Sequence, residues 1–120
     1  MTEIPDLKVT PDRYLTYRYA GASGDFNPIH IDEDFAKSVG LPGRILHGLW
    51  TMSQVARAVS QAGELKRLEV QFRGMGFPEQ ELSVSATVKD VADGVATVEA
   101  EAFQDGRRII RKGKAELKLG

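Results

Sequence analysis

The sequence predicts an α+β fold in which one helix, covered on most sides, lies against an antiparallel sheet. Three observations carry this. From His47-Gly48 to about Ala62 the apolar residues recur at helical spacing: Met52, Val55, Ala56, Val59 and Ala62 form a stripe that Leu49, Trp50 and Ala58 widen. After Gly63 the period changes to two, as in a half-buried strand. And the dipeptides Asp93-Gly94 and Asp105-Gly106 stand between alternating runs, a strong signal for two-residue hairpin turns. A helix followed by strands joined in hairpins gives an antiparallel sheet with the helix on one face.

The elements can be justified in order. Residues 1–6 are expected to fray, and Leu7-Lys8-Val9 could form a short edge strand. A first helix is expected over about Pro11 to Ala20, with Thr10 as N-cap, Pro11 at the first helical position and Asp12 favouring the dipole. It should stop at Gly21 and deliver an irregular loop. Asp32 reads as the next N-cap, with Glu33 and Asp34 in the first turn and Phe35, Ala36 and Val39 facing inward. Gly40 and Pro42 end that short helix. Gly43 to Leu46 connects to the central helix, for which Gly63 is the expected C′ residue.

The strands follow. Leu68, Val70 and Phe72 alternate with charged or polar neighbours. So do Leu82, Val84, Ala86 and Val88, and then Ala96, Val98, Ala100 and Ala102. In the last strand Ile109, Ala115, Leu117 and Leu119 oppose Ile110, Lys112, Lys114, Glu116 and Lys118, and Gly113 marks a bulge or bend. The alanines of the third run leave room for something bulky, and the helix carrying Trp50 is the obvious occupant.

Length and composition narrow the function classes. At 120 residues the chain suits one domain, residues 1–120, with no room for a second. A net charge of −1 gives no field pointing to nucleic acid or a membrane surface. With no cysteine there is no disulfide, thiolate nucleophile or zinc-thiolate site. No apolar run approaches the roughly 20 residues that span a bilayer, and the first residues do not form a signal peptide, so the expected location is cytoplasmic.

The chemistry concentrates in Tyr19 to His30, Tyr-Ala-Gly-Ala-Ser-Gly-Asp-Phe-Asn-Pro-Ile-His. Gly21 and Gly24 loosen the backbone, Pro28 fixes φ, and Asn27 is pushed toward an extended conformation. Asp25 and His30 on one bent loop can share a water or a substrate proton, as general acid–base chemistry requires. The plainer alternative is a turn in which Asp25 and Asn27 cap backbone groups and His30 is merely exposed. His47, the second of the two histidines, precedes the central helix and either packs at its entrance or contacts substrate. Gly48 begins the helix, so its N–H is unpaired at the positive end of the dipole, and without a side chain it admits a ligand oxygen.

Other constellations are weaker. The run Asp25-x-Asn27-x-Ile29-His30-x-Asp32 fails as a calcium loop, because Ile29 and His30 stand where a ligand oxygen and a glycine are needed. A metal on Asp25, His30 and Asp32 competes with the better use of Asp32 as a cap. Gly74-Met75-Gly76 reads as a turn, and Ser23 and Ser53 lack an activating partner.

The order and spacing of Ser-Gly-Asp-Phe-Asn-Pro-Ile-His-Ile-Asp with Phe35-Ala36, and the second block Gly-Arg-Ile-Leu-His-Gly-Leu-Trp-Thr over Gly43 to Thr51, resemble the signature of the MaoC-like (R)-specific enoyl-CoA hydratases and (3R)-hydroxyacyl-ACP dehydratases. The two blocks cover about a quarter of the chain. The resemblance implies a hot-dog fold and interconversion of trans-2-enoyl and (3R)-3-hydroxyacyl thioesters of CoA or ACP, with no cofactor. It implies Asp25 and His30 as a catalytic dyad, Asn27 as an orienting residue and the Gly48 amide as donor to the thioester oxygen. Tyr19, Ser23, Arg44, His47 and Trp50 are then candidate substrate contacts. Arg44, Arg57, Lys66, Arg67 and Arg73 are candidates for the carrier phosphates, or ordinary surface charges. Side-by-side dimers are also implied, homomeric or with another hot-dog subunit. Two departures stand out: the first strand is short, and Trp50 is bulky for a helix lining an acyl tunnel, so it either shortens the tunnel or fills the core. The alternatives are one subunit of a heteromeric dehydratase and a hot-dog thioesterase.

Overall fold

The computed structural model describes residues 3–120. The elements are β1 (Glu3–Val9), α1 (Leu15–Ser23), α2 (Pro28–Ile31), α3 (Glu33–Ser38), α4 (Gly48–Val59), β2 (Glu64–Phe72), β3 (Leu82–Ala92), β4 (Val95–Gln104) and β5 (Arg107–Lys118). The five strands form one antiparallel sheet in the order β1-β3-β4-β5-β2, so β1 and β2 are the edges. No helix among the described residues is long and apolar enough to cross a membrane.

The sheet curls around α4, which packs against all five strands. The reason is visible in β4. Ala96, Ala100 and Ala102 are buried together with Val98, and such small side chains let a helix approach closely. The buried face of α4 is Trp50, Thr51, Val55, Ala58 and Val59. This is rotated from the stripe expected from sequence: Met52 and Ala56 are only partly buried and Leu49 is 64% exposed. Burying Val55 and Val59 fully stabilises the domain by roughly 1.5–3 kcal/mol each.

Both Asp-Gly hairpins form. Asp93 and Gly94 have φ of 53° and 76°, and Asp105 and Gly106 have 49° and 72°, the doubly positive pair a tight hairpin with right-handed twist needs. Gly113 does mark an irregularity. A Cβ there would lie 2.6 Å from the Ala100 carbonyl oxygen, and Lys112 beside it has φ 50°. The bulge changes parity, so Ile110, expected on the outer side, is fully buried, as are Gly113, Ala115 and Leu117 beyond it.

Several boundaries differ from expectation, each for a local reason. The first strand begins at Glu3, so Glu3 and Ile4 are paired with β3 rather than frayed, and Pro5 and Asp6 form a bulge before Leu7; Met1 and Thr2 lie outside the described residues. α1 starts at Leu15 instead of Pro11, because the Asp12 carboxylate accepts the Tyr14 N–H and holds residues 12–14 in a turn. It runs through Gly21 and ends at Gly24, whose φ of 80° and N–H to Ala20 oxygen make the left-handed cap. α3 has the expected Asp32 cap but buries only Ala36, leaving Phe35 and Val39 exposed. α4 ends at Val59, and Gly63 is not a left-handed cap. Gly63 is needed for close approach instead, since a Cβ there would lie 2.8 Å from the Lys118 carbonyl.

Candidate active site

The expected irregular loop is partly helical: Asn27 caps the single turn α2, with Pro28 at its first position. The segment entering it is fixed by three consecutive bonds from backbone to side chain. The Asp25 N–H donates to Ser23 Oγ (3.1 Å), the Asn27 N–H to Asp25 Oδ1 (3.2 Å), and the Ile29 N–H to Asn27 Oδ1 (3.2 Å). This ladder leaves Asp25 Oδ2 free, 3.8 Å from His30 Nε2. That gap is one a single water can bridge. The carboxylate is half exposed and the imidazole nearly buried.

The other ring nitrogen settles how His30 is used. His30 Nδ1 lies 2.9 Å from the Ile45 carbonyl oxygen. A carbonyl only accepts, so Nδ1 carries a hydrogen and, in the neutral ring, Nε2 presents its lone pair toward Asp25. His47 is held the other way round: its Nε2 donates to the Asp25 carbonyl at 3.0 Å. The two rings stack, centroids 3.9 Å apart, and Tyr19 packs on the outer side of His47 at 4.8 Å. His47 therefore packs at the helix entrance and also ties the Asp25 backbone to the start of α4.

Gly48 follows as the first residue of α4, and among the described residues no acceptor meets its N–H. Two hollows meet at this glycine. The outer one, about 300 Å³, is lined by Tyr19, Ser23, Asp25, His47, Leu49 and Phe72 as well as Gly48. The inner one, about 190 Å³, holds His30 and Thr51 among apolar walls of Ile45, Leu46, Met75 and Ile109, again with Gly48 and Phe72. The Asp25–His30 pair thus straddles the junction, with Asp25 in one hollow and His30 in the other. A larger concavity of about 500 Å³ on the outer face of the sheet mixes lysines with glutamates such as Lys89, Lys114, Glu99 and Glu101 and is lined by no histidine or helix terminus.

Two expected substrate contacts are placed elsewhere. Trp50 is 8% exposed, belongs to the core cluster and lines neither hollow, so it fills the core. Arg44 donates to Thr16 Oγ1 (2.6 Å) and the Arg13 carbonyl (2.9 Å), pairs with Glu33 and lies over the Tyr17 ring. Its guanidinium is a clasp between α1 and the connector to α4. Asp32, spent on the Phe35 N–H, does not join Asp25 and His30 in a metal set. Asp25, His30 and His47 do bring potential ligand atoms within 4.8 Å of one another. The rings stack, and His30 Nδ1 and His47 Nε2 are already bonded to carbonyls, which leaves one nitrogen of each ring.

Sequence reasoning missed Phe72, read as an inward strand residue, and Gln104. Gln104 is fully buried and bonds Phe77 N–H, Phe77 carbonyl and Gln80 carbonyl, pinning the β2–β3 loop. The signal available for Phe72 was its position at the mouth of the Gly74-Met75-Gly76 turn.

Residues 2–105 match the MaoC like domain. The chain belongs to this family. A relative from Saccharomyces cerevisiae, the peroxisomal hydratase-dehydrogenase-epimerase, is 39% identical over 122 residues; the match covers 98% of this chain and 13% of that one. The (R)-hydratase from A. caviae involved in PHA biosynthesis superposes with a TM-score of 0.90 at 22% identity, covering 99% of this chain and 96% of that one. The ChsH1-ChsH2 complex from Mycobacterium tuberculosis gives 0.88 at 24% identity, with 98% and 94% covered. These two likenesses establish the hot-dog fold for the MaoC-like chain. The curated relatives are much longer than this chain, which spans 5% of a fungal fatty acid synthase beta subunit that it also matches.

Proposed function

We propose that this MaoC-like domain is a hydro-lyase that interconverts trans-2-enoyl and (3R)-3-hydroxyacyl thioesters of CoA or ACP. The observation that carries the proposal is the 3.8 Å gap between Asp25 Oδ2 and His30 Nε2 beside the open amide of Gly48. In hydration, one water donates its hydrogens to both groups and turns its oxygen toward C3. His30 Nε2 takes a proton as the C3–O bond forms, and the C2–C3 π electrons move toward the thioester carbonyl. The Gly48 N–H, at the positive end of α4, stabilises the enolate oxygen. The dyad then gives a proton to C2 on the same face and returns to its starting state. Dehydration is the reverse path. Asn27, through its Ile29 bond and its own N–H to Asp25 Oδ1, orients the carboxylate. The (R) stereochemistry rests on family resemblance.

Incubation with crotonyl-CoA, following enoyl absorbance and free thiol together, tests the reading. Loss of the enoyl signal without thiol is expected; thiol release would instead favour a thioesterase. A second reading is favoured by one observation. Leu49 and Phe72, 64% and 54% exposed, flank the site, and β2 is an unpaired edge, so a second hot-dog subunit has an apolar surface to cover. We expect a dimer, homomeric by default. Silence toward crotonyl-CoA that a partner subunit relieves would make this chain one half of a heteromeric dehydratase.

A further inference from the structure

Two hollows that share a glycine and a phenylalanine raise the question of what divides them. Phe72 is the last residue of β2, and its alternation with Leu68 and Val70 would point it at the core. It keeps that face, opposite the buried Ile110, but at the open end of the sheet: the ring is 54% exposed and lies across Gly48, so that a Cβ on Gly48 would stand 3.2 Å from its Cε1. Phe72 and Gly48 are therefore complementary in shape, and the ring is a wall common to both hollows.

The remaining walls of the inner hollow cannot give way as easily. Ile109, Leu46 and Ile45 are 1%, 4% and 8% exposed and belong to well-packed surroundings. Gly76 is pressed so close to Leu46 that a Cβ would meet Leu46 Cδ1 at 3.0 Å. Phe72 and Met75, 54% and 43% exposed within one chain, are the least packed of these side chains. The inner hollow is also small: at about 190 Å³ it compares with the roughly 150 Å³ apolar cavities that accept a benzene.

Resting on the hydro-lyase reading, we propose that Phe72 is a specificity-determining residue. Its ring closes the inner hollow and limits the thioester to a short, unbranched acyl tail, of order six carbons beyond the reacting bond by the benzene comparison. A thioester whose carbonyl reaches the Gly48 amide from the outer hollow must pass its alkyl end under this ring toward Thr51 and Ile109. Longer tails require the ring to move aside.

The test separates binding from turnover. Butyryl-CoA and dodecanoyl-CoA carry no double bond to hydrate, so calorimetric titration reads acyl-chain fit alone. Phe72→Ala should raise the affinity for dodecanoyl-CoA relative to butyryl-CoA about tenfold or more, since a methylene gained in an apolar pocket is worth roughly that factor. Phe72→Trp should move the ratio the opposite way. Circular dichroism is expected to be unchanged in both, because the ring is half exposed. A ratio within about twofold of the parent in both folded variants, or no binding of either thioester to the parent, overturns the proposal. The expected shift in a protein that fails to hydrate crotonyl-CoA would keep Phe72 as the size selector and remove the hydro-lyase reading instead.

Discussion

The β3–β4–β5 meander and the segment from Ser23 to Gly48 are held in place by opposite means. The meander is specified by neighbours in sequence: Asp93-Gly94 and Asp105-Gly106 set the turns, and alternation sets the faces. The site segment has only the two short helices α2 and α3 and is held by bonds across long stretches of chain. His30 reaches the Ile45 carbonyl, His47 reaches the Asp25 carbonyl, and Arg44 reaches Thr16 and Arg13. Turn-encoded structure tolerates changes to its exposed side chains. Structure held by single side chains transmits each loss to the geometry of its neighbours, here to the gap between Asp25 and His30.

That contrast can be broken most strongly at the dyad. Asp25→Asn and His30→Ala should each lower turnover of crotonyl-CoA by about 10²–10⁴-fold, the range for a general acid–base group. The double variant should be little worse than the worse single one, because residues acting on one water are not additive. The sheet should not notice: melting curves of the Asp25→Asn protein are expected to overlay the parent. Near-normal turnover in either folded single variant would reduce the segment to a capped turn.

On the meander side the sensitive position is Gly113. A methyl group 2.6 Å from the Ala100 carbonyl must push strands apart, and overpacking of this kind costs about 1–3 kcal/mol. Gly113→Ala should shift the urea midpoint down with residual activity per folded molecule unchanged.

A smaller effect of opposite sign lies between the two regions. Glu79 has φ 70°, a conformation that costs a residue with a Cβ roughly 1–2 kcal/mol. The hairpins put Asp and Gly at such positions; the β2–β3 loop does not. Its N–H is nevertheless held to the Pro11 carbonyl at 2.6 Å, and Gln104 fixes the loop around it. Glu79→Gly should stabilise the protein by about 1 kcal/mol in the same denaturation assay.

The smallest expected effect concerns the turn before α1. The Arg18 guanidinium, bonded to both Asp12 oxygens, and the Tyr14 N–H hold the Asp12 carboxyl below its usual range. A depressed folded-state value means stability that is present above the unfolded carboxylate pKa and is lost as pH falls through the folded one. Asp12→Asn should thus lower the melting temperature slightly at pH 7 and leave it unchanged in strong acid. Both side chains are more than half exposed, so 0.5 M salt should erase most of the difference.

The sequence by itself determined the elements whose causes are local: the central helix, the strands β2 to β5, both hairpin turns, the Asp32 cap and the bulge at Gly113. It also made the dyad candidates legible, because Asp25, Asn27, Pro28 and His30 stand close together in one motif and build their own ladder of bonds. Only the tertiary structure decided the rest. Which face of α4 is buried depends on the alanines of β4, almost 50 residues away, and so Trp50 goes to the core and Leu49 to the surface. Ile110 turned inward because a bulge two residues on reversed the parity. His30 acquired its tautomer from a carbonyl 15 residues ahead, and Phe72, on the expected face, met Gly48 at the open end of the sheet and stayed half exposed. Local propensity fixes φ, ψ and period; it carries no information about which distant carbonyl, methyl or ring will arrive opposite a side chain, and the site is made of those arrivals.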